Sequence, residues 1–370
     1  MKFSAQRESL LEPLQQVVGA VERRQTSPVL GNILFDGDVT GVTLTATDSE
    51  IELRADSELS VDEPGSATLP ARKLLEICRH LPEQARVDVE FSGDKAVLKA
   101  GRSRFTLATL PADQFPRTDA LEGGEQVELP AADLHACMRA TAFSMAQQDV
   151  RFYLNGLLVE IADHKLCCVA TDGHRLAWSC IGIEVSPETP LRAIIPRKSV
   201  GELLRLLGSA EAGSEVSLHL TGQQLQASVG GVRLTTRLVD GRFPDYDRVI
   251  PSDGDKELLI DCQSLRQSLT RASVLSNEKY RGIRLALSEG TLTISSNNPD
   301  QEEAIDELEV DYTGESTEIG FNVTYLLDVL GAIDTESARI IVKDGNSSAL
   351  LMPDVNGEGT SKYVVMPMRL

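Results

Sequence analysis

Three successive stretches of the chain each carry two amphipathic helix faces, and this constrains the fold more than any other feature. In the first stretch Leu10, Leu14, Val17, Val18 and Val21 share one face of a helix predicted over 7–24. Leu74, Ile77, Cys78 and Leu81 share a face of a second. The next stretch repeats the order with Leu134, Met138, Thr141, Ala142 and Met145, then Val200, Leu203, Leu204 and Leu207. The last has Leu265, Leu269 and Ala272, then Leu326, Val329, Leu330 and Ile333. The second-helix faces open at Leu74, Val200 and Leu326, two intervals of 126 residues; the first-helix faces open at Leu10, Leu134 and Leu265, intervals of 124 and 131. Units this long are domains rather than solenoid repeats.

Short alternating segments such as Val42 to Leu53, Val87 to Phe91, Lys95 to Ala100 and Arg104 to Thr109 read as strands between the helices. Pro70, Pro130 and Pro196 are expected in the first turns of the helices they introduce. Phe115-Pro116 and Phe243-Pro244 close the first two units ahead of polar connectors. The expected fold is α+β: three pseudo-repeated domains, 1–122, 126–250 and 256–370, each with two helices packed on antiparallel sheets. With aromatics at only 4% of residues, the cores must be aliphatic.

No apolar run is long enough to cross a bilayer, and charges stand where a signal peptide would be apolar, so a cytoplasmic protein is expected. The six cysteines, Cys78, Cys137, Cys167, Cys168, Cys180 and Cys262, form no C-x-x-C pair. In a reducing compartment they read as buried thiols rather than disulfides.

The net charge of −20 speaks against a phosphate-binding surface. Its distribution softens that conclusion. The six predicted helices carry twelve basic and nine acidic residues, with Arg72, Lys73 and Arg79 on one and Arg197, Lys198 and Arg205 on its counterpart. A mildly basic helical surface on an acidic protein suits loose phosphate contact; solvated helix flanks explain the same residues without a ligand.

Candidates for chemistry are few. No glycine-rich phosphate loop is present, and the five histidines have no metal-ligand spacing, so neither cofactor nor metal is expected. Asp172 and His174 on a turn, with Ser179 nearby, allow an acidic hydrolase as the alternative reading, although no nucleophile-elbow pattern surrounds the serine. Thr171-Asp172 echoes Thr47-Asp48, which points to a structural acid, whereas Gly173 to Leu176 have no evident counterpart in Ser49-Glu50-Ile51. The apolar tail Tyr363 to Leu370 reads as a last strand or as one wall of a binding groove.

The chain resembles the sliding clamps of bacterial replication, the β subunits of DNA polymerase III. The resemblance is carried by Met1-Lys2-Phe3, Pro70 to Lys73, Gly101 to Phe105, Gln148 to Arg151, Tyr153 to Gly156, Ala170 to Leu176, Leu238 to Tyr246, Ser276 to Lys279 and Tyr363 to Leu370. It implies a non-enzymatic processivity factor: a head-to-tail homodimeric ring, helices inward, that encircles duplex DNA without sequence preference. Its partners would be the polymerase, the clamp loader and other proteins bearing short clamp-binding peptides.

By the same resemblance a peptide groove would use Leu154, Thr171, Gly173, His174, Arg175, Leu176, Pro244, Arg248 and Val249. Asn322, Tyr325, Ser348, Val364, Met366, Pro367, Met368 and Arg369 would complete it. DNA would meet Arg24, Arg72, Gln148, Arg151, Tyr153, Arg197 and Lys198. Lys73, Arg102, Arg104, Phe105 and Leu107 of one subunit would meet Val274, Leu275, Glu302 and Glu303 of the other. Phe152 stands where the family pattern suggests Tyr, and Asp247 adds an acid at the groove's edge.

Overall fold

The computed structural model describes residues 1–21, 27–355 and 360–369. It divides into two compact units, Met1–Leu134 with Lys198–Leu238, and His135–Arg197 with Val239–Leu370. The division falls inside the second repeat, because each unit is built on a long sheet that two repeats share.

In the first unit that sheet has eight antiparallel strands in the order Glu125–Pro130, Glu215–Leu220, Gln224–Val229, Val232–Arg237, Ile51–Ser57, Val42–Thr47, Asn32–Gly37, Gly65–Pro70. The join is the pairing of Val232–Arg237 from the second repeat with Ile51–Ser57 from the first. The second unit repeats the device with the order Leu191–Pro196, Gly156–Ala162, Lys165–Thr171, Arg175–Gly182, Ser361–Val365, Ala349–Pro353, Ser337–Val342, Lys256–Asp261. Here Arg175–Gly182 joins Ser361–Val365 of the third repeat. The first unit also holds a five-stranded sheet ending at the edge strand Ser103–Ala108, and the second a four-stranded sheet ending at Glu303–Glu309.

Six α-helices occur among the described residues: α1 Arg7–Val17, α2 Ala71–His80, α3 Ala131–Arg139, α4 Arg197–Gly208, α5 Cys262–Ser273 and α6 Val323–Ala332. Their expected apolar faces are largely the buried ones. Leu10, Leu14, Leu74, Val200, Leu203, Leu269 and Val329 are essentially sealed from solvent, each contributing about 2 kcal/mol by burial. The first unit packs α1 on α2; the second packs α5 on α6.

Each helix follows a strand directly. Pro70, Pro130 and Pro196 end those strands and sit just before the first helical residue, not inside the first turn as expected. At Pro70 the backbone has φ −59 and ψ 109, a φ the proline ring imposes at no cost while giving up an N–H that a strand end does not need. In the third repeat Asp261 and Asn322 take these positions as side-chain caps, accepting the Ser264 N–H at 2.7 Å and the Thr324 N–H at 2.9 Å.

Two helices are shorter than their apolar faces suggest. α1 gives way to a 3-10 turn, Val18–Ala20. α3 ends at Arg139, where the Thr141 hydroxyl donates back to the Cys137 carbonyl at 2.9 Å and a 3-10 turn, Ala142–Ser144, follows.

The cysteine expectation needs one correction: Cys167 and Cys180 are joined as a disulfide. They face each other directly across neighbouring strands, with Cα atoms 4.0 Å apart. The Cys180 N–H bonds away from this pair, to the Thr360 carbonyl, so theirs is the close, non-hydrogen-bonded kind of cross-strand pairing. Cys78, Cys137 and Cys168 are buried as expected, and burial pushes the Cys78 thiol up to about 12.

Candidate functional site

In the second unit the hairpin between Lys165–Thr171 and Arg175–Gly182 is fixed by its own side chains. The Thr171 hydroxyl donates to the Arg175 carbonyl at 2.6 Å and accepts the Gly173 N–H at 3.1 Å. Asp172 Oδ1 accepts the N–H groups of His174 at 2.9 Å and Arg175 at 3.0 Å. Its Oδ2 accepts from Arg175 Nε at 3.1 Å. Both carboxylate oxygens are thus committed to the turn, and Asp172 is not placed to orient the exposed His174 imidazole. Ser179 is buried, its hydroxyl 3.0 Å from that of Ser361. The acid, imidazole and hydroxyl of the hydrolase reading are therefore not assembled.

Arg175 is the most heavily engaged residue here. Its guanidinium pairs with Asp328 at 2.5 Å, donates to the Phe143 carbonyl at 2.8 Å, and lies over the Tyr325 ring at 4.5 Å and the Phe143 ring at 5.4 Å. Burial raises the Tyr325 hydroxyl above its ordinary pKa. Gly173 has φ +88, and a Cβ there would come within 3.0 Å of the Arg151 guanidinium.

The C-terminal segment lies alongside. Leu176 faces Val364 and Arg175 faces Val365. Past that strand the Met366 N–H donates to the His174 carbonyl at 2.9 Å and the Met368 N–H to the Gly320 carbonyl at 2.7 Å. The tail is thereby both a last strand and a wall. Beneath it Leu176 and Val364 pack with Leu158, Val169, Phe243 and Leu350, flanked by half-buried Tyr153, Val249 and Met352. Met366 stays 40% exposed above this cluster. Apolar floor, polar hairpin and exposed methionine make a cleft suited to a short apolar peptide.

Among the remaining groove candidates, Pro244 and Ser348 are partly exposed and Leu154 is buried. Asn322 is spent on capping α6. Arg248 is exposed and pairs with Asp245 at 2.8 Å, leaving Asp247 outside that pair. Pro367 and Met368 are half-buried, and Arg369 is exposed. Sequence reasoning missed Asp328 and Phe143, which hold Arg175 from distant parts of the chain and leave no local signal.

The expected DNA residues divide in two. Gln148 and Arg151 lie on a loop held by Asn155, which accepts the Asp149 N–H at 2.9 Å and donates to the Asp149 carbonyl at 2.8 Å. The Arg151 guanidinium binds the Asp149 carboxylate and holds its pKa down to about 2. Val150 and Phe152, 87% and 73% exposed, project from this loop as a pair of apolar tips. Tyr153 beside them packs into the apolar cluster. Arg72 is exposed and donates to the Val21 carbonyl at 3.2 Å, Arg197 donates to the Met145 carbonyl at 2.8 Å, and the Lys198 ammonium binds Asp48 and the Ala20 carbonyl. Arg24 lies outside the described residues.

The expected subunit contacts fall on the two edge strands and beside them. Arg104, Phe105 and Leu107 belong to Ser103–Ala108, Arg102 precedes it, and Lys73 is exposed on α2. Glu303 opens the other edge strand and Glu302 precedes it. Val274, 76% exposed, and half-buried Leu275 follow α5, which packs against that strand.

Three family models match in succession: the N-terminal, central and C-terminal domains of the DNA polymerase III β subunit, over residues 1–119, 128–245 and 247–369. The chain is 50% identical to the β sliding clamp of Pseudomonas putida and 46% identical to that of Escherichia coli, each over the whole of both chains. It superposes with a TM-score of 0.95, at 50% identity and full coverage of both chains, on the crystal structure of the sliding clamp of Pseudomonas aeruginosa bound to griselimycin. With matches over its whole length and at this identity, the chain belongs to the family of β sliding clamps, the β subunits of DNA polymerase III.

Proposed function

We infer that two copies of this chain close head to tail into a ring around duplex DNA and tether the replicative polymerase to it, as a non-enzymatic processivity factor. The observation that carries this reading is an unfinished pattern in the sheets. At each internal join, one strand of one repeat pairs with the outer strand of the next: Ile51–Ser57 with Val232–Arg237, and Arg175–Gly182 with Ser361–Val365. Two equivalent edges remain, Glu303–Glu309 of the third repeat and Ser103–Ala108 of the first. A second copy satisfies both. Exposed Ile305 and Val274 on one edge and half-buried Phe105 on the other supply apolar contact; Arg102, Arg104 and Lys73 oppose Glu302 and Glu303.

Three domains, 1–122, 126–250 and 256–370, then give six in the ring. The helices face the hole, and an acidic exterior keeps DNA from binding outside. Arg24, Arg72, Gln148, Arg151, Tyr153, Arg197 and Lys198 meet phosphates without reading bases, so contact permits sliding and topology supplies retention. The groove between the Thr171–Leu176 hairpin and the C-terminal tail takes partners' short apolar peptides, the polymerase's and the clamp loader's among them. The P. aeruginosa clamp with griselimycin bound is a precedent for ligand binding in the family. The protein works in the cytoplasm, where replication proceeds.

Sedimentation equilibrium at micromolar concentration tests closure. The wild type should sediment as a dimer and Ile305→Arg as a monomer; a wild-type monomer contradicts the reading.

A further inference from the structure

The first unit carries a cleft of about 570 Å³ at the position that corresponds to the groove of the second. Its floor is the strand join at which Glu52 faces Thr235 and Ile51 faces Thr236. Those pairs correspond to Leu176 with Val364 and Arg175 with Val365. Its walls are the segment 116–122, which follows Phe115 as Pro244 to Val249 follow Phe243, and the turn 221–224.

The chemistry of this cleft is different. Glu50 and Glu52 stand where the groove has His174 and Leu176, and Asp119 and Glu122 add two more carboxylates. Against these four are Arg117 and Arg237, and Arg117 is already held by Asp36 at 2.9 Å. Glu52 accepts the Thr118 N–H at 3.1 Å, which draws the connector over the strand join. Among the described residues Glu50, Asp119 and Glu122 make no ion pair. Buried Ile51 and half-buried Leu121 line the apolar part.

We propose that this cleft is a second docking site, taking a short extended segment of a partner protein that carries Lys or Arg beside an apolar residue. Charge complementarity selects the occupant: surplus carboxylates in a walled cleft attract a cation and repel a phosphate backbone. The pairing with the apolar groove gives one protomer two docking chemistries.

The test uses the full-length protein with labelled Ile, Leu and Val methyl groups, titrated with the probe acetyl-Lys-Leu-Lys-Ala-Leu-amide and followed by NMR. The Ile51 and Leu121 methyls should shift. Glu50→Lys with Glu122→Lys should weaken binding about tenfold, and raising the salt to ~0.3 M should weaken it severalfold. Glu50→Gln with Glu122→Gln, a milder change, should give a smaller loss in the same direction, and the methyl spectrum reports that either variant is folded. Removing residues 366–370 should leave this affinity unchanged. A separate titration with an apolar peptide reports on the second unit's groove, so the two sites fail independently. Shifts confined to Leu176 and Val364, an affinity indifferent to both carboxylate changes, or no shifts up to millimolar probe would each overturn the proposal.

Discussion

The hairpins Thr47 to Glu52 and Thr171 to Leu176 are the same turn built twice. Both pair their ends alike, Thr47 with Glu52 and Thr171 with Leu176. In both a threonine hydroxyl donates to the carbonyl four residues on, at 2.8 Å to Ile51 and 2.6 Å to Arg175. In both an aspartate Oδ1 accepts two successive N–H groups, those of Glu50 and Ile51 or of His174 and Arg175. Ser49 and Gly173 even share the left-handed backbone, φ 79 and φ 88. Gly173 to Leu176 therefore do have positional counterparts, contrary to the sequence reading.

What differs is the side chains the turn presents. Asp48 sends its second oxygen to Lys198, whereas Asp172 sends its own to Arg175. Ile51 stands where Arg175 stacks on Tyr325 and pairs with Asp328. The lesson is that the backbone device is architectural and the binding chemistry is written onto it position by position.

The largest expected consequence concerns the tail, whose bonds to the His174 and Gly320 carbonyls complete the groove. Removing residues 366–370 should lower affinity for an apolar clamp-binding peptide by about 1,000-fold in a fluorescence-anisotropy titration, since it deletes a central wall. Binding of the basic probe in the first unit should be untouched. Arg175→Met should cost about 2 kcal/mol of stability in urea denaturation, because it removes the charged hydrogen bonds to Asp172, Asp328 and the Phe143 carbonyl. Ile51→Met, the equivalent change, should cost about 1 kcal/mol, an apolar exchange of similar volume. Equal costs at the two positions would remove the distinction drawn between the hairpins. The smallest effect lies at the turns' left-handed residues. Gly173→Ser should destabilise by about 1 kcal/mol and crowd Arg151, whereas Ser49→Gly should be neutral or stabilise by a few tenths of a kcal/mol. Thermal melts of both variants measure the pair.

Much of this was legible in the sequence because it repeats. Six helix faces recur at near-constant intervals, and burial of one apolar stripe is what makes a short helix stable. The disulfide is legible too: once Thr171 is paired with Leu176, counting back along both strands puts Cys167 opposite Cys180. Helix ends were harder. The threonine at 141 belongs to the apolar face by spacing, but its hydroxyl bonds a carbonyl and the helix has already ended. The contacts that hold Arg175 join residues more than 30 or 150 positions apart, at Phe143 and Asp328, and no local pattern announces them. The sharing of sheets between repeats also escaped the sequence, because strand pairing across a repeat boundary depends on which edges lie open.

A closed ring is held on DNA by topology alone, and its retention on circular and linear DNA measures this. Clamps loaded onto nicked circular DNA should co-elute with it in gel filtration at high salt and be lost once the circle is cut to a line. Retention on the linear DNA, or failure to remain on the circle, would contradict a ring that encircles the duplex.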